Sequence, residues 1–329
     1  MPGVALNTID PCLTGFGGPF DLAETSAYRA WRDAKLSGYP ASPEALVVSV
    51  RDAHRLSPIE RAALLERCRK ANMAICASRR LGDRALVAAL GAQLGLRRLD
   101  ANPGADGDRI TPLRVTREGL RRGYIPYTDR ALNWHTDGYY NATERRVRAF
   151  ILYCVVNAQY GGANAFLDHE VAYILLRETD PDYVAALMHP EAMTVPPNAG
   201  EGAAREARTG PVFSVDRETG ALHMRYTART RSITWRADPL TRRAVECLRA
   251  LLEEGASPYV FRHRLRPGEG VICNNVLHCR GAFTDDHRAE RRRLLYRARY
   301  YDRIAPTAEA GEHALAERDF AAAPGSRFV

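Results

Sequence analysis

Lysine is almost missing from this chain. Of 47 basic residues only Lys35 and Lys70 are lysine; all others are arginine. A bias of this kind reflects a GC-rich genome rather than selection for charge. Long apolar runs are missing too. No stretch approaches the ~20 residues that a membrane-spanning helix needs, so no membrane partner is expected. Met1 to Phe20 has neither the basic start nor the apolar core of a secretory signal. The seven cysteines, at 12, 68, 76, 154, 247, 273 and 279, are odd in number and form no Cys-x-x-Cys pair. Their scatter argues against a disulfide framework or a zinc site and favours a reducing, cytoplasmic compartment. Internal repeats and long low-complexity tracts are absent.

What is present fits one enzyme-sized unit. A chain of 329 residues, 46% hydrophobic, can bury one large core or two modest ones, and we read it as one. Residues 1–100 read as a helical and strand elaboration packed on the core. Residues 101–329 read as the main domain, the two forming one structural unit. The net charge is +8, with the arginines spread along the whole chain among acids. That distribution points to small anionic molecules rather than to a nucleic-acid track.

Local signals place the elements. Leu22, Tyr28, Trp31 and Leu36 predict a helix over 22–37. Ser57-Pro58-Ile59-Glu60 is a capping box with proline at the first helical position, opening a helix that ends near Asn72. Met73 to Ala77 reads as a short strand and 83–94 as a helix closed by Gly95. Ala149 to Val156 is a continuous apolar run suited to a strand buried on both faces. Asp168 caps a helix through Arg177, Asp180-Pro181 starts another, and Asp238-Pro239 opens one ending at Gly255. Short strands are expected near 211–215, 221–226, 231–236, 258–263, 270–277 and 293–300. Val195 to Gly210, polar and carrying Pro196-Pro197-Asn198, reads as a loop able to serve as a lid. Many short strands with a few inserted helices suit a mainly β, α+β architecture on a double-sheet jelly-roll core.

The run Asn133-Trp134-His135-Thr136-Asp137-Gly138 carries the chemistry. Residues i and i+2 of an extended strand point the same way, so His135 and Asp137 can reach one ion together. A bare His-x-Asp is usually a surface turn; this one gains meaning from His278, about 140 residues on. Two imidazoles and a carboxylate on one face of a metal are the ligand set of mononuclear non-heme Fe(II). Cys279 adjoins His278 but faces the opposite way on a strand, so it is not expected to be a ligand. Over 293–300, alternation puts Arg293, Leu295, Arg297 and Arg299 on one face and Leu294, Tyr296, Ala298 and Tyr300 on the other. Either the arginines face water, or they turn toward a polar cavity while helices cover the Leu/Tyr face. Tyr139, Tyr140 and Asn141 follow the His-x-Asp motif and should line the cavity, where a tyrosine pair could stack on a cation; core packing explains the pair equally well. Arg225, Arg229, Arg231 and Trp235 are further candidates.

Several features stand in a fixed order: His-x-Asp, Gly161-Gly162, the strand with Asn274-Asn275-Val276-Leu277-His278, then Arg293 to Tyr300. In this order the chain resembles the TauD/TfdA family of Fe(II)- and 2-oxoglutarate-dependent dioxygenases over roughly residues 110–300. The first 100 residues match only loosely. The resemblance implies a jelly roll, Fe(II) on His135, Asp137 and His278, dioxygen (O2) and 2-oxoglutarate as co-substrates, and succinate and CO2 as co-products. It implies that Arg293 grips the distal carboxylate of 2-oxoglutarate, a role suited to the bidentate guanidinium. Arg297 would face the same cavity and hold a substrate anion. After Gly-Gly the family often carries an acidic residue and then Thr or Ser. Here Asn164 stands in that place, and its amide can donate the same hydrogen bond. Related halogenases lack the carboxylate that Asp137 provides, so hydroxylation or desaturation is expected. The Cys/His-rich zinc module of γ-butyrobetaine hydroxylases is absent, which weakens a betaine substrate. The expected partner is a small polar metabolite, anionic or amino-acid-like, with no nucleic acid; a homo-oligomer stays open. The alternatives are an oxygenase of nucleic acid or protein, with an open basic groove, and a non-catalytic jelly-roll binding protein.

Overall fold

The computed structural model of the chain describes residues 17–102, 104–117, 119–198, 205–229, 233–286, 288 and 291–304. Six strands form the larger sheet, in the order β1 (Val47–Val50), β2 (Met73–Ser78), β14 (Glu269–Cys273), β5 (Ala149–Val156), β17 (Leu294–Tyr300) and β3 (Thr111–Leu113). Four form the smaller sheet: β13 (Phe261–His263), β7 (Asn164–Leu167), β15 (Leu277–Arg280) and β4 (Leu132–His135). A three-stranded ribbon joins β12 (Thr234–Trp235), β8 (Met193–Val195) and β9 (Arg208–Gly210). Two short pairs are β10 (Phe213–Val215) with β11 (Leu222–Met224), and β6 (Tyr160–Gly161) with β16 (Phe283–Thr284). The helices among the described residues are α1 (Thr25–Leu36), α2 (Pro58–Ala71), α3 (Arg84–Gln93), α4 (His169–Thr179), α5 (Pro181–Met188) and α6 (Pro239–Leu251).

The apolar pattern explains the layering. Phe150, Leu152, Val271 and Leu295 of the larger sheet meet Phe166 and Phe261 of the smaller one in a shared core. The other face of the larger sheet, with Ile151, Tyr153, Ile272, Ala298 and Tyr300, packs on Leu64, Leu86 and Leu90 of α2 and α3. Leu167 and Leu277 of the smaller sheet pack on Tyr28, Tyr173, Leu187 and Leu248 of α1, α4, α5 and α6. β5 is therefore covered on both sides, which is why its sequence is apolar without alternation.

Local chemistry sets the boundaries. Both halves of the Ser57–Glu60 capping box form, and Asn72, left-handed at φ 55°, ends α2. Asp83, Asp168, Asp180 and Asp238 each cap the helix that follows them. Three features differ from the sequence reading. Val47–Val50, which the pattern does not flag, is a strand that pairs in parallel with β2. β2 is no appendage: it is an interior strand of the larger sheet, antiparallel to β14. The expected strand over 270–277 is broken. β14 stops at Cys273, Asn275 turns the chain at φ 50°, and β15 starts at Leu277 in the other sheet. The expected lid is the end of the β8–β9 hairpin, bridged by Asn198 and Arg205; its residues 199–204, like Arg231, lie outside the described residues.

Both lysines serve α1. Lys35 is buried, with Nζ 2.7 Å from Asp168 Oδ2 and 2.6 Å from Glu170 Oε2, so α1 is pinned to the start of α4. Lys70 Nζ donates to the carbonyls of Ala34 (2.9 Å) and Ser37 at the C-terminal end of α1. Burial raises the Glu170 carboxyl, but Lys35, His169 and Arg303 outweigh it and hold it down to about 2. Stability from this carboxylate is fully present above its unfolded value of about 4.3 and is lost as pH falls toward 2. Lys35→Met should cost about 3–5 kcal/mol by urea denaturation at pH 7, because two buried carboxylates lose their cation. Lys70→Ala should cost about 0.3–1 kcal/mol.

Candidate metal centre and adjoining cavity

The smaller sheet brings the three sequence-predicted ligands together. His278 on β15 is the direct cross-strand partner of His135 on β4, and their ring centroids are 4.2 Å apart. Asp137 follows β4 in a tight turn. Gly138 takes φ 68°, and a Cβ there would sit 2.6 Å from Val147 Cγ2, so this turn requires glycine. One donor atom from each of His135, Asp137 and His278 lies within 4.8 Å of the others, and all three side chains are buried.

The donor chemistry fits a divalent metal. His135 Nδ1 is 2.8 Å from the Asn133 carbonyl and His278 Nδ1 is 2.9 Å from the Val276 carbonyl. Each ring thus donates through Nδ1 and leaves Nε2 as a lone pair. Burial, and then His278, push His135 down to about 3; burial also lowers His278. Both imidazoles are therefore neutral, as ligands must be. Burial raises the Asp137 carboxyl, but Arg297 and then Arg299 outweigh it and hold it ionised. Its Oδ2 is buried with no hydrogen-bond partner, the position of an atom waiting for a ligand. Asn275 braces the turn: its Oδ1 accepts from Asp137 N (2.8 Å), and its Nδ2 donates to the carbonyls of Asp137 (2.9 Å) and Val147 (2.6 Å).

The arginines of β17, and Arg293 just before it, turn inward. Arg293, Arg297 and Arg299 are all buried, while Tyr296, Ala298 and Tyr300 lie under α2 and α3. Arg297 Nη1 is 3.0 Å from Asp137 Oδ1. Arg299 pairs with Asp100, bonds Tyr140 Oη at 3.0 Å, and comes within 3.9 Å of Asp137 Oδ1. Arg293 sits apart, its guanidinium 4.8 Å from the centre of the Phe283 ring, with Nη1 buried and unpartnered. Burial lowers it to about 10, so it remains charged. Gly162 runs beside it: a Cβ there would be 3.7 Å from Arg293 Nε. Asn164 is buried on β7, its Nδ2 donating to the Cys279 carbonyl at 3.3 Å.

A cavity of about 870 Å³ opens beside the trio. His135, Asp137, Tyr139, Tyr140, Asn141, Arg229 and Arg297 line it; His278, Arg293, Asn164 and Arg225 lie outside its lining. Several of its residues carry no sequence signal. Asp100 and Arg121 come from segments distant in sequence, Arg145 follows Asn141 by four residues, and Arg205 and Arg208 lie in the stretch read as a lid without being singled out. Arg299 does share the even spacing of Arg293 and Arg297, and that spacing was the available clue.

A profile of the taurine catabolism dioxygenase TauD, TfdA family matches residues 74–299. The chain belongs to this family. Among its relatives is a uridine-5'-phosphate dioxygenase of Amycolatopsis sp, 35% identical over 175 residues, which cover 51% of this chain and 60% of that protein. The chain thus spans less than two thirds of that relative. A uridine-5'-phosphate dioxygenase of Streptomyces sp is 31% identical over 201 residues, 59% of this chain and 70% of the relative. Solved TauD-like structures share the fold. An asparagine oxygenase with Fe(II), 3-hydroxyasparagine and succinate superposes with TM-score 0.52 at 19% identity, covering 75% of this chain and 81% of its own. The non-heme iron oxygenase OrfP with Fe, succinate and (3S)-hydroxy-L-Arg gives 0.55 at 16%, covering 88% and 94%.

The Asn275 bonds generate an expectation. Asn275→Asp keeps the acceptor for Asp137 N but loses both donated bonds. It should lower Fe(II) affinity about 10–100-fold in an anaerobic titration, the usual effect of losing a ligand's support.

Proposed function

We propose that this protein is an Fe(II)- and 2-oxoglutarate-dependent dioxygenase that hydroxylates or desaturates a small phosphorylated metabolite of the nucleoside 5'-phosphate class. The observation that carries the reading is a buried His/Asp/His trio, two of whose members, His135 and Asp137, line an arginine-rich cavity. Seven arginines line that cavity against two carboxylates, Asp100 and Asp137. Arg145, Arg205 and Arg229 make no ion pair among the described residues. A zwitterionic amino acid would leave this excess uncompensated, whereas a phosphate monoester brings nearly two negative charges. The two uridine-5'-phosphate dioxygenases among the relatives support the same class. The volume lies within the range of small-molecule sites, about 300–1,000 Å³, which disfavours a macromolecular substrate. The two packed sheets, together with the family, support a jelly-roll core. The place of β1 and β2 in the larger sheet supports a single structural unit.

The residues divide the work. His135, Asp137 and His278 hold the metal. When bound, iron and 2-oxoglutarate supply, with dioxygen, the oxidising power for C–H oxidation, and succinate and CO2 leave as co-products. Arg293 holds the distal carboxylate of 2-oxoglutarate through its unpartnered Nη1, with the second amide hydrogen of Asn164 as a further donor. Arg297 neutralises Asp137 and presents its remaining nitrogens to the substrate. Tyr139, Tyr140 and Asn141 line the substrate chamber and exclude water from it.

Three outcomes test this. His135→Ala and His278→Ala should each abolish stoichiometric Fe(II) binding in an anaerobic titration; wild-type affinity in both would refute the ligand set. Arg293→Ala should weaken 2-oxoglutarate about ten- to a hundredfold, read from the visible metal-to-ligand band without substrate, and Lys at 293 should rescue only part. Product made in excess chloride should carry no chlorine by mass spectrometry, because Asp137 fills the place a halide would take. The reading as a whole is tested by succinate release across nucleoside monophosphates, amino acids and sulfonates. Turnover only with unphosphorylated compounds would overturn the substrate class.

A further inference from the structure

We infer that the substrate's phosphate sits on the cavity wall built around Tyr140, held by Arg145, Arg205 and the Tyr140 hydroxyl. This rests on the reading above that the substrate is phosphorylated. The wall is one connected network. Asp100 pairs with Arg299 and accepts a hydrogen bond from Tyr301 Oη at 2.7 Å. Tyr301 Oη accepts in turn from Arg145 Nε and Nη2 at 3.3 and 3.2 Å. Arg299 Nη1 donates to Tyr140 Oη at 3.0 Å. The Arg205 guanidinium lies 5.4 Å from the Tyr140 ring centre, and that of Arg299 lies 5.8 Å from it.

Two features of this network call for a dianion. Among the described residues, Arg299 pairs with Asp100, while the guanidinium groups of Arg145 and Arg205 pair with no carboxylate, an excess that a phosphate monoester neutralises and a lone carboxylate does not. The donors are also left free. Tyr140 oxygen is occupied as an acceptor by Arg299, so its own hydrogen remains to donate. Arg205 spends Nη2 on the Pro196 carbonyl at 2.9 Å, and its Nε is buried without a partner. Arg297 is the weaker seat, because its Nη1 is committed to Asp137 Oδ1. Arg299 Nη1 reaches both Tyr140 Oη and Asp137 Oδ1, so the phosphate wall and the metal trio share one guanidinium. Arg299 and Asp100 are positioning residues; Arg145, Arg205 and Tyr140 set specificity.

The test is direct binding by calorimetry to the iron- and 2-oxoglutarate-loaded protein under anaerobic conditions. The probes are uridine 5'-phosphate, ribose 5-phosphate and uridine. Wild type should bind at least one of the phosphate esters ten times or more tightly than uridine. Arg205→Gln, Arg145→Gln and Tyr140→Phe should each shrink that preference about tenfold. All three should leave the 2-oxoglutarate band unchanged, which also shows that they fold. Arg205→Lys should restore part of the preference. If the preference exists but survives all three substitutions, the seat is elsewhere and only this inference falls. If no phosphate ester is preferred, this inference falls as well. If succinate is also released only with unphosphorylated compounds, the proposed substrate class falls with it.

Discussion

An ionised carboxylate in a buried place is the constraint on which this site depends. Asp137 must stay charged to bind a metal, yet burial alone would favour its protonated form. Arg297 and Arg299 reverse that balance from β17, while Asn275 fixes the backbone on which Asp137 stands. Two of these supports stand on β17 and the third in the connection between β14 and β15. They converge because β17 lies in the larger sheet and β4 in the smaller, with the site between them. The same arrangement leaves one carboxylate oxygen without a protein partner.

The near absence of lysine has a physical consequence here. A buried ammonium easily loses its proton, whereas a guanidinium keeps its charge in the interior. Burial lowers Arg293 only to about 10, so it can meet a dicarboxylate as a cation, with Asp285 near its backbone but no side-chain ion pair among the described residues. The one buried lysine among the described residues, Lys35, survives as a cation because two carboxylates surround it, and it serves helix packing rather than the site. A point charge with three donors suits that junction of α1 and α4, where no planar group must be gripped.

How much was legible follows from the range of each interaction. The capping box at Ser57, the apolar run of β5 and the His-x-Asp spacing are local, and the chain carries them on its face. His278 was legible because its context is ordered along the sequence; its cross-strand register with His135 could not be read directly. The break between β14 and β15 was missed because it depends on the left-handed backbone of Asn275, in a stretch that otherwise reads as one strand. β1 was missed because four residues, parallel to β2, leave too short a pattern. The Asp100–Arg299 pair and the approach of Arg205 to Tyr140 join segments with no shared periodicity, so only the fold brings them together.

Arg225 shows how far a residue's type can mislead about its work. As an arginine near a candidate site it suggests a substrate contact. Instead its guanidinium is spent on three backbone carbonyls: Tyr139 at 2.8 Å, Met193 at 3.2 Å and Arg208 at 2.7 Å. Gly210 permits the approach, since a Cβ there would meet Arg225 Nη1 at 3.0 Å. One side chain thereby ties the turn after Asp137 to both strands of the β8–β9 hairpin. The hairpin brings Arg205 and Arg208 to the cavity, and the turn brings Tyr139 and Tyr140. Metal trio, aromatic wall and hairpin arginines are therefore held in one frame by backbone bonds, with side-chain charge left over for a ligand.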